Sequence, residues 1–168
     1  MEKKVQYKFQ VQDSFKDGAK LKGVEFSPAI EHAYTYFEVS SADDRSFVVL
    51  RIKKSEGVQK LDMKIRNNET GEWDHFESEV SDADQVQSIL ERLGCSEIFT
   101  FHKHRQTWIN DFIRFDLDTT KELGTFLEVK FDLSDRAKAE QYLQELGIDP
   151  STHDKRSVIE IYKEKYKM

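Results

Sequence analysis

The sequence predicts an α+β protein in which about eight antiparallel strands close into a β-barrel, with helices at its periphery. Three observations lead there. Segment after segment alternates between apolar and polar residues, the period of a strand with two unlike faces. Most of these segments are joined by short turns rich in Asn, Asp and Gly, which makes hairpins and therefore antiparallel pairing. Helical periodicity is confined to a few stretches between them.

The first strand is 5–11. Val5, Tyr7, Phe9 and Val11 fall on one face, and Lys4, Gln6, Lys8 and Gln10 on the other. Residues 13–21 are short and polar, and Gly18 interrupts them, so a weak helix or turn ends near Gly23. Pro28 ends any helix by that point. Residues 32–39 are rich in β-formers and read as a strand. A turn over 42–44 leads to a third strand at 47–53, where Val48, Leu50 and Ile52 alternate with Val49, Arg51 and Lys53.

After a turn at 55–57 the strand at 58–65 puts Leu61, Met63 and Ile65 on one face and Lys60, Asp62 and Lys64 on the other. A hairpin loop at 67–71 precedes a strand at 73–80, with Phe76 and Val80 opposed to His75, Glu77 and Glu79. Residues 81–93 form a helix. Ser81 and Asp84 resemble a capping box, Val86, Ile89, Leu90 and Leu93 form its apolar stripe, and Gly94 stops it. A strand at 97–108 carries Lys103 and Arg105 on one parity. It turns at Asn110 and Asp111 into a strand at 112–118, where Ile113, Phe115 and Leu117 oppose Arg114, Asp116 and Asp118. The last strand, 124–132, sets Leu127, Val129 and Phe131 against Glu128 and Lys130. Ser134 caps a helix running to Leu146, Gly147 ends it, and Pro150 leads to a final amphipathic helix at about 155–165.

The 168 residues suit a single domain over 1–168. The net charge of −6 offers no overall basic field for a polyanion, so no nucleic-acid partner is expected. Cys95 is the single cysteine, which excludes an intramolecular disulfide and a cysteine-based zinc site and suits a reducing compartment. Its place after a helix C-terminus disfavours a thiolate. No apolar run approaches a membrane span, and the N-terminus leads straight into a strand, so no membrane partner and a cytoplasmic location are expected. His102 and His104 straddle Lys103 and read as partly buried sheet residues rather than a metal pair.

Pooling the polar parities gives the cations Lys4, Lys8, Arg51, Lys53, Lys60, Lys64, Lys103, Arg105, Arg114 and Lys130, and the anions Asp62, Glu77, Glu79, Asp116, Asp118 and Glu128. On any one strand such a face is solvated. Repeated over several strands, it points to a lumen in which charges are paired or met by a ligand. Cations converging with a few carboxylates suit a phosphate clamp and a divalent metal.

These residues also resemble a known family. Residues 6–9 are similar to the end of the ExExK strand of the CYTH superfamily, the triphosphate tunnel enzymes. That superfamily includes class IV adenylate cyclases, thiamine triphosphatases and inorganic triphosphatases. Residues 50–53 resemble its LRIR segment, and Lys64 matches the lysine ending its fourth strand. Residues 77–82 resemble its ExEV–helix junction, and 103–105 its KxR pair. Residues 117–118 and 123–129 resemble its LD…LGxFLEIE segment, the most specific of these motifs. The resemblance spans nearly the whole chain in the same order. It implies an eight-stranded antiparallel barrel forming a tunnel. It further implies a small triphosphorylated anion held by Lys8, Arg51, Lys53, Lys64, Lys103 and Arg105, and a metal, Mg²⁺ or Mn²⁺, held by Glu77, Glu79, Asp118 and Glu128.

The departures fall on the metal ligands. Lys4 and Gln6 replace both glutamates of ExExK, and Lys130 replaces the second acid of the last strand. Tyr34 stands where many members have an acid. A lysine offers a hard cation no oxygen and adds a repelling charge, so these changes weaken the metal site. Three readings stay open: a metal-dependent triphosphatase or adenylate cyclase-like enzyme, a non-catalytic phosphate- or nucleotide-binding module, and a structural dimer with a vestigial tunnel. Monomer and homodimer are equally compatible with the sequence.

Overall fold

The alternating segments form eight strands: β1 (Lys4–Val11), β2 (Ile30–Glu38), β3 (Ser46–Ser55), β4 (Val58–Asn67), β5 (Trp73–Glu79), β6 (Ser96–Ile109), β7 (Arg114–Thr120) and β8 (Gly124–Asp132). Three helices accompany them, α1 (Ala83–Arg92), α2 (Arg136–Glu145) and α3 (Val158–Tyr166). This computed structural model describes residues 4–17, 23–39, 46–69 and 73–168, without the side chains of Lys4, Lys16 and Asp17. The expected turn at 42–44, part of the loop at 67–71 and part of the segment 13–21 lie outside the described residues. The strands are hydrogen-bonded in the order β1-β8-β7-β6-β2-β3-β4-β5 and pair antiparallel, as hairpin connections require.

The chain divides into two compact units, one comprising Met1–Ile30 with Lys103–Met168 and the other Glu31–His102. In the first, the apolar parities of β1, β7 and β8 supply Tyr7, Phe9, Phe115, Leu117, Leu127, Val129 and Phe131 to one buried cluster. Helix α2 closes over that face with Ala139 and Leu143, both fully buried. Trp108, Phe115 and Tyr142 stack beside them. In the second unit Phe37, Leu50 and Ile52 pack with Ala83 of α1, and Leu61, Met63, Val86 and Leu90 join them. Each unit thus covers one sheet face with a helix. By strand alternation every charged residue of interest falls on the other face.

Two expectations for α1 are corrected. Its N-cap is Asp82, whose Oδ1 accepts from the Gln85 amide at 2.9 Å, rather than Ser81. Of the apolar stripe, Val86 and Leu90 pack on the sheet, while Ile89 and Leu93 are 51% and 75% exposed. The contact runs through Ala83, Val86 and Leu90, and leaves Ile89 and Leu93 of the expected stripe outside it. Ser134 likewise lies within a short 3-10 turn, Leu133–Asp135, and does not cap α2. The full capping box belongs to α3, where Ser157 and Glu160 bond each other's backbone amides. Where the sequence suggested partly buried histidines, His102 and His104 are both exposed, and His102 Nδ1 lies 3.3 Å from Glu31 Oε1.

Candidate functional site

Register turns the polar parities into rungs, because residues directly opposite in an antiparallel pair share a face. In the first unit one rung runs Lys8–Glu128–Asp116–Thr107 across β1, β8, β7 and β6. A second runs Gln6–Lys130–Arg114, and a third runs Gln10–Phe126–Asp118–Arg105. The side chains then bond both within rungs and diagonally between them. Arg105 grips Asp118 through Nε and Nη2, both at 2.6 Å, and its Nη2 also donates to Glu128 at 3.2 Å. Lys103 Nζ donates to Asp118 at 2.6 Å. Asp116 accepts from Lys130 at 2.7 Å, Thr107 at 2.7 Å and Arg114 at 2.9 Å.

Asp116, Asp118, Glu128, Lys8 and Lys103 are all buried. Burial by itself pushes a carboxyl up, since it disfavours the charged form. Here the neighbouring cations outweigh it. Arg105 and Lys130, with hydrogen bonds from Lys130 and Thr107, hold Asp116 down at about 2. Lys130, Arg105, Lys103 and Lys8 together hold Glu128 well below the usual carboxylate range, again against burial. Glu128 thus feels all four of these cations, and its Oε2 lies 3.2 Å from Arg105 Nη2 and 3.4 Å from Lys130 Nζ. Lys8 is lowered by burial, although Glu128, Asp154 and Glu160 oppose that shift. Its Nζ donates to the Arg156 carbonyl at 2.5 Å, and the Asp154 amide donates to its own carbonyl at 2.7 Å.

The second unit repeats the pattern. One rung is Tyr36–Arg51–Asp62–Glu77 across β2, β3, β4 and β5, and the next is Tyr34–Lys53–Lys60–Glu79. A third places Lys64 opposite His75. Asp62, with no exposed surface, accepts from Arg51 and pairs with His75, and Lys53 Nζ lies 3.3 Å away. Arg51 Nη1 also donates to the Tyr36 hydroxyl at 3.1 Å, and its guanidinium lies 5.0 Å from the centre of the Tyr34 ring. Glu77 accepts from Lys53 and, at 2.8 Å, from Lys60. Burial would raise both carboxyls, but Arg51, His75 and Lys53 hold Asp62 down, and Lys53 and Lys60 hold Glu77 down.

Of the predicted basic residues, Lys8, Lys103 and Arg105 thus come together in one unit, and Arg51, Lys53 and Lys64 share a face in the other. Of the predicted acids, Asp118 and Glu128 lie in the first network and Glu77 in the second. Glu79 is exposed opposite Lys60. The Lys4 side chain lies outside the described residues. Sequence reasoning pooled Asp62, Asp116 and His75 with the polar faces but gave them no place in the site. The available signal was their parity, two residues from Lys64, Asp118 and Glu77 respectively.

Ligand atoms of Asp62, His75 and Glu77 lie within 4.8 Å of one another, a spacing that could hold a metal ion. The Lys53 ammonium, however, already pairs with both carboxylates. In the first unit the oxygens of Asp116, Asp118 and Glu128 are engaged by Lys103, Arg105, Arg114 and Lys130. As arranged, neither donor set fits a divalent metal.

The depressed carboxyls make stability pH-dependent. A group whose pKa is lowered in the fold contributes above its unfolded value, near 4, and loses that contribution as pH falls through the folded value. Urea unfolding should therefore show full stability above about pH 5 and a steep decline below about pH 4, with Asp116 alone accounting for about 2 kcal/mol. A flat profile down to about pH 2 would contradict the network.

Among the described residues no helix is long and apolar enough to cross a membrane. The PH1012 protein of Pyrococcus horikoshii OT3 superposes with a TM-score of 0.75 at 23% identity, covering 96% of this chain and 99% of that one. A candidate adenylate cyclase of Vibrio parahaemolyticus does so with a TM-score of 0.70 at 18% identity, covering 95% and 97%. HpAC1 from Hippeastrum, a candidate adenylyl cyclase with a dominant triphosphatase activity, gives a TM-score of 0.67 at 16% identity, covering 98% and 96%. These likenesses concern the fold. No curated protein matches the chain. The CYTH domain family model matches residues 2–158, nearly the full length, and the chain belongs to the CYTH family.

Proposed function

We propose that the chain binds a small triphosphorylated anion, a nucleotide or polyphosphate, through Lys8, Arg51, Lys53, Lys64, Lys103 and Arg105. In this reading residues 1–168 act as one domain in the cytoplasm, with neither nucleic acid nor membrane as partner. The observation that carries it is the surplus of cations on the charged faces. On the charged face of the first unit the described residues Lys8, Lys103, Arg105, Arg114 and Lys130 stand with Asp116, Asp118 and Glu128, while Asp154 and Glu160 also act on Lys8. In the second, Arg51, Lys53, Lys60 and Lys64 share a face with Asp62, Glu77 and Glu79. Concentrating cations beyond the local carboxylates costs self-repulsion, in an acidic protein that has no overall need of them. A polyanion relieves that cost and receives charge-assisted hydrogen bonds from lysine and arginine.

Tripolyphosphate at millimolar concentration should raise the melting temperature, because a ligand that binds only the native state stabilises it. An unchanged melting curve would remove this reading.

The second reading is metal-dependent triphosphate hydrolysis or ATP cyclisation, and it is favoured by the survival of Asp118, Glu128, Glu77 and Glu79 as acids. It requires those carboxylates to exchange protein cations for Mg²⁺ or Mn²⁺. Release of phosphate or pyrophosphate from ATP, thiamine triphosphate or tripolyphosphate, dependent on metal and abolished in Glu128→Gln, would establish it. Tight binding without turnover under any metal would leave a binding module.

A further inference from the structure

Each unit contains a lysine whose ammonium bridges two carboxylates on neighbouring strands. Lys130 Nζ lies 2.7 Å from Asp116 Oδ2 and 3.4 Å from Glu128 Oε2. Lys53 Nζ pairs with Glu77 Oε2 and lies 3.3 Å from Asp62 Oδ2. A cation shared by two carboxylates is what a divalent ion supplies in a phosphate site. Here that cation is covalently part of the chain.

The surrounding bonds make exchange costly. Lys130 and Arg114 hold Asp116 on opposite oxygens, Thr107 adds a third bond and Arg105 lies 3.3 Å away. A divalent ion entering between Asp116 and Glu128 must expel a tethered ammonium. It also adds two positive charges where cations already outnumber carboxylates, in surroundings that screen poorly. A polyphosphate arriving as its Mg²⁺ chelate brings the same two charges. The free polyanion brings none, and every donor nitrogen around it carries an N–H to offer.

We infer that the ligand the charged face of the first unit selects is the metal-free polyphosphate anion, with the ammonium group of Lys130 serving as its resident counter-cation. This rests on the proposed anion-binding reading and specifies the form of the ligand. Mg²⁺ then competes with the protein for the polyphosphate instead of joining the two.

Calorimetric titration of tripolyphosphate into the full chain tests this, at constant ionic strength, once with a chelator and once with saturating MgCl₂. The expected result is binding that weakens about tenfold or more in MgCl₂, a loss of about 1.4 kcal/mol. Lys130→Glu, which supplies an oxygen ligand in place of the ammonium, should reverse the order and bind better with Mg²⁺. A milder variant, Lys130→Met, guards against a failed fold and is read by Mn²⁺ electron paramagnetic resonance. Wild type should leave added Mn²⁺ free, and the variant should acquire a bound fraction. Tighter wild-type binding in MgCl₂, or saturable Mn²⁺ binding by wild type, overturns the inference while leaving anion binding intact. No heat in either buffer overturns the anion-binding reading itself, and this inference with it.

Discussion

Asp116→Asn should cost about 3–5 kcal/mol of folding stability, the range for breaking a buried ion pair from one side. Asp116 has no exposed surface, and its two oxygens meet Lys130, Arg114 and Thr107. The amide has nearly the same shape, so no cavity opens. What changes is charge. Half of the oxygen capacity becomes a donor, and it faces ammonium and guanidinium groups that also donate. Lys130 and Arg114 are 30% and 42% exposed and can turn partly to water. Arg105 is only 12% exposed and stays behind, with Asp118 and Glu128 as its remaining counter-charges. The loss should therefore sit toward the lower part of the range. Glu91→Gln on the exposed side of α1 serves as the control and should stay within about 0.5 kcal/mol of wild type. Equilibrium urea unfolding of both measures the difference. A loss below about 1 kcal/mol would mean that the Asp116 network does not hold the strands together. The variant should also lose part of the acid lability, because the carboxyl held at about 2 has gone.

Much of the strand pattern was legible because its signal is local. Alternation needs no knowledge of partners, and β1, β4 and β8 announce their two faces within a few residues. The helix-covered face of each unit follows from the same alternation. What a single strand cannot reveal is register. Asp62 matters because Arg51 stands opposite it and His75 lies one diagonal away. Asp116 matters because Thr107 and Glu128 flank it on either side while Lys130 and Arg114 reach across from the next rung. Parity puts these residues on the right face, and pairing alone makes them the most enclosed charges of their units. The α1 cap shows the same limit on a smaller scale. Ser81 and Asp82 are both competent caps, and one residue of helix phase decides between them.

Removing both arginines should abolish tripolyphosphate binding. In the anion-binding reading Arg51 and Arg105 are the fork-shaped donors of the two charged faces, and two charge-assisted contacts are together worth about 3 kcal/mol or more, over 100-fold in affinity. Both are already engaged. Arg51 bonds Asp62 and Tyr36, and Arg105 bonds Asp118 and Glu128. A guanidinium has five N–H groups, so an arriving phosphate can share donors without displacing every carboxylate. The double variant Arg51→Ala with Arg105→Ala tests this most severely. It also strands Asp62 and Asp118, so circular dichroism must first establish a native fold. Arg51→Lys with Arg105→Lys keeps the charge and loses the fork. It should bind about tenfold more weakly than wild type and remain folded. If the lysine pair binds as wild type does, planar guanidinium recognition is not used. If a folded alanine pair still shows the full tripolyphosphate-dependent rise in melting temperature, the anion sits elsewhere and these faces are structural networks. If the alanine pair does not fold, the lysine pair alone decides, because its ammonium groups still reach the buried carboxylates while the bidentate geometry is gone.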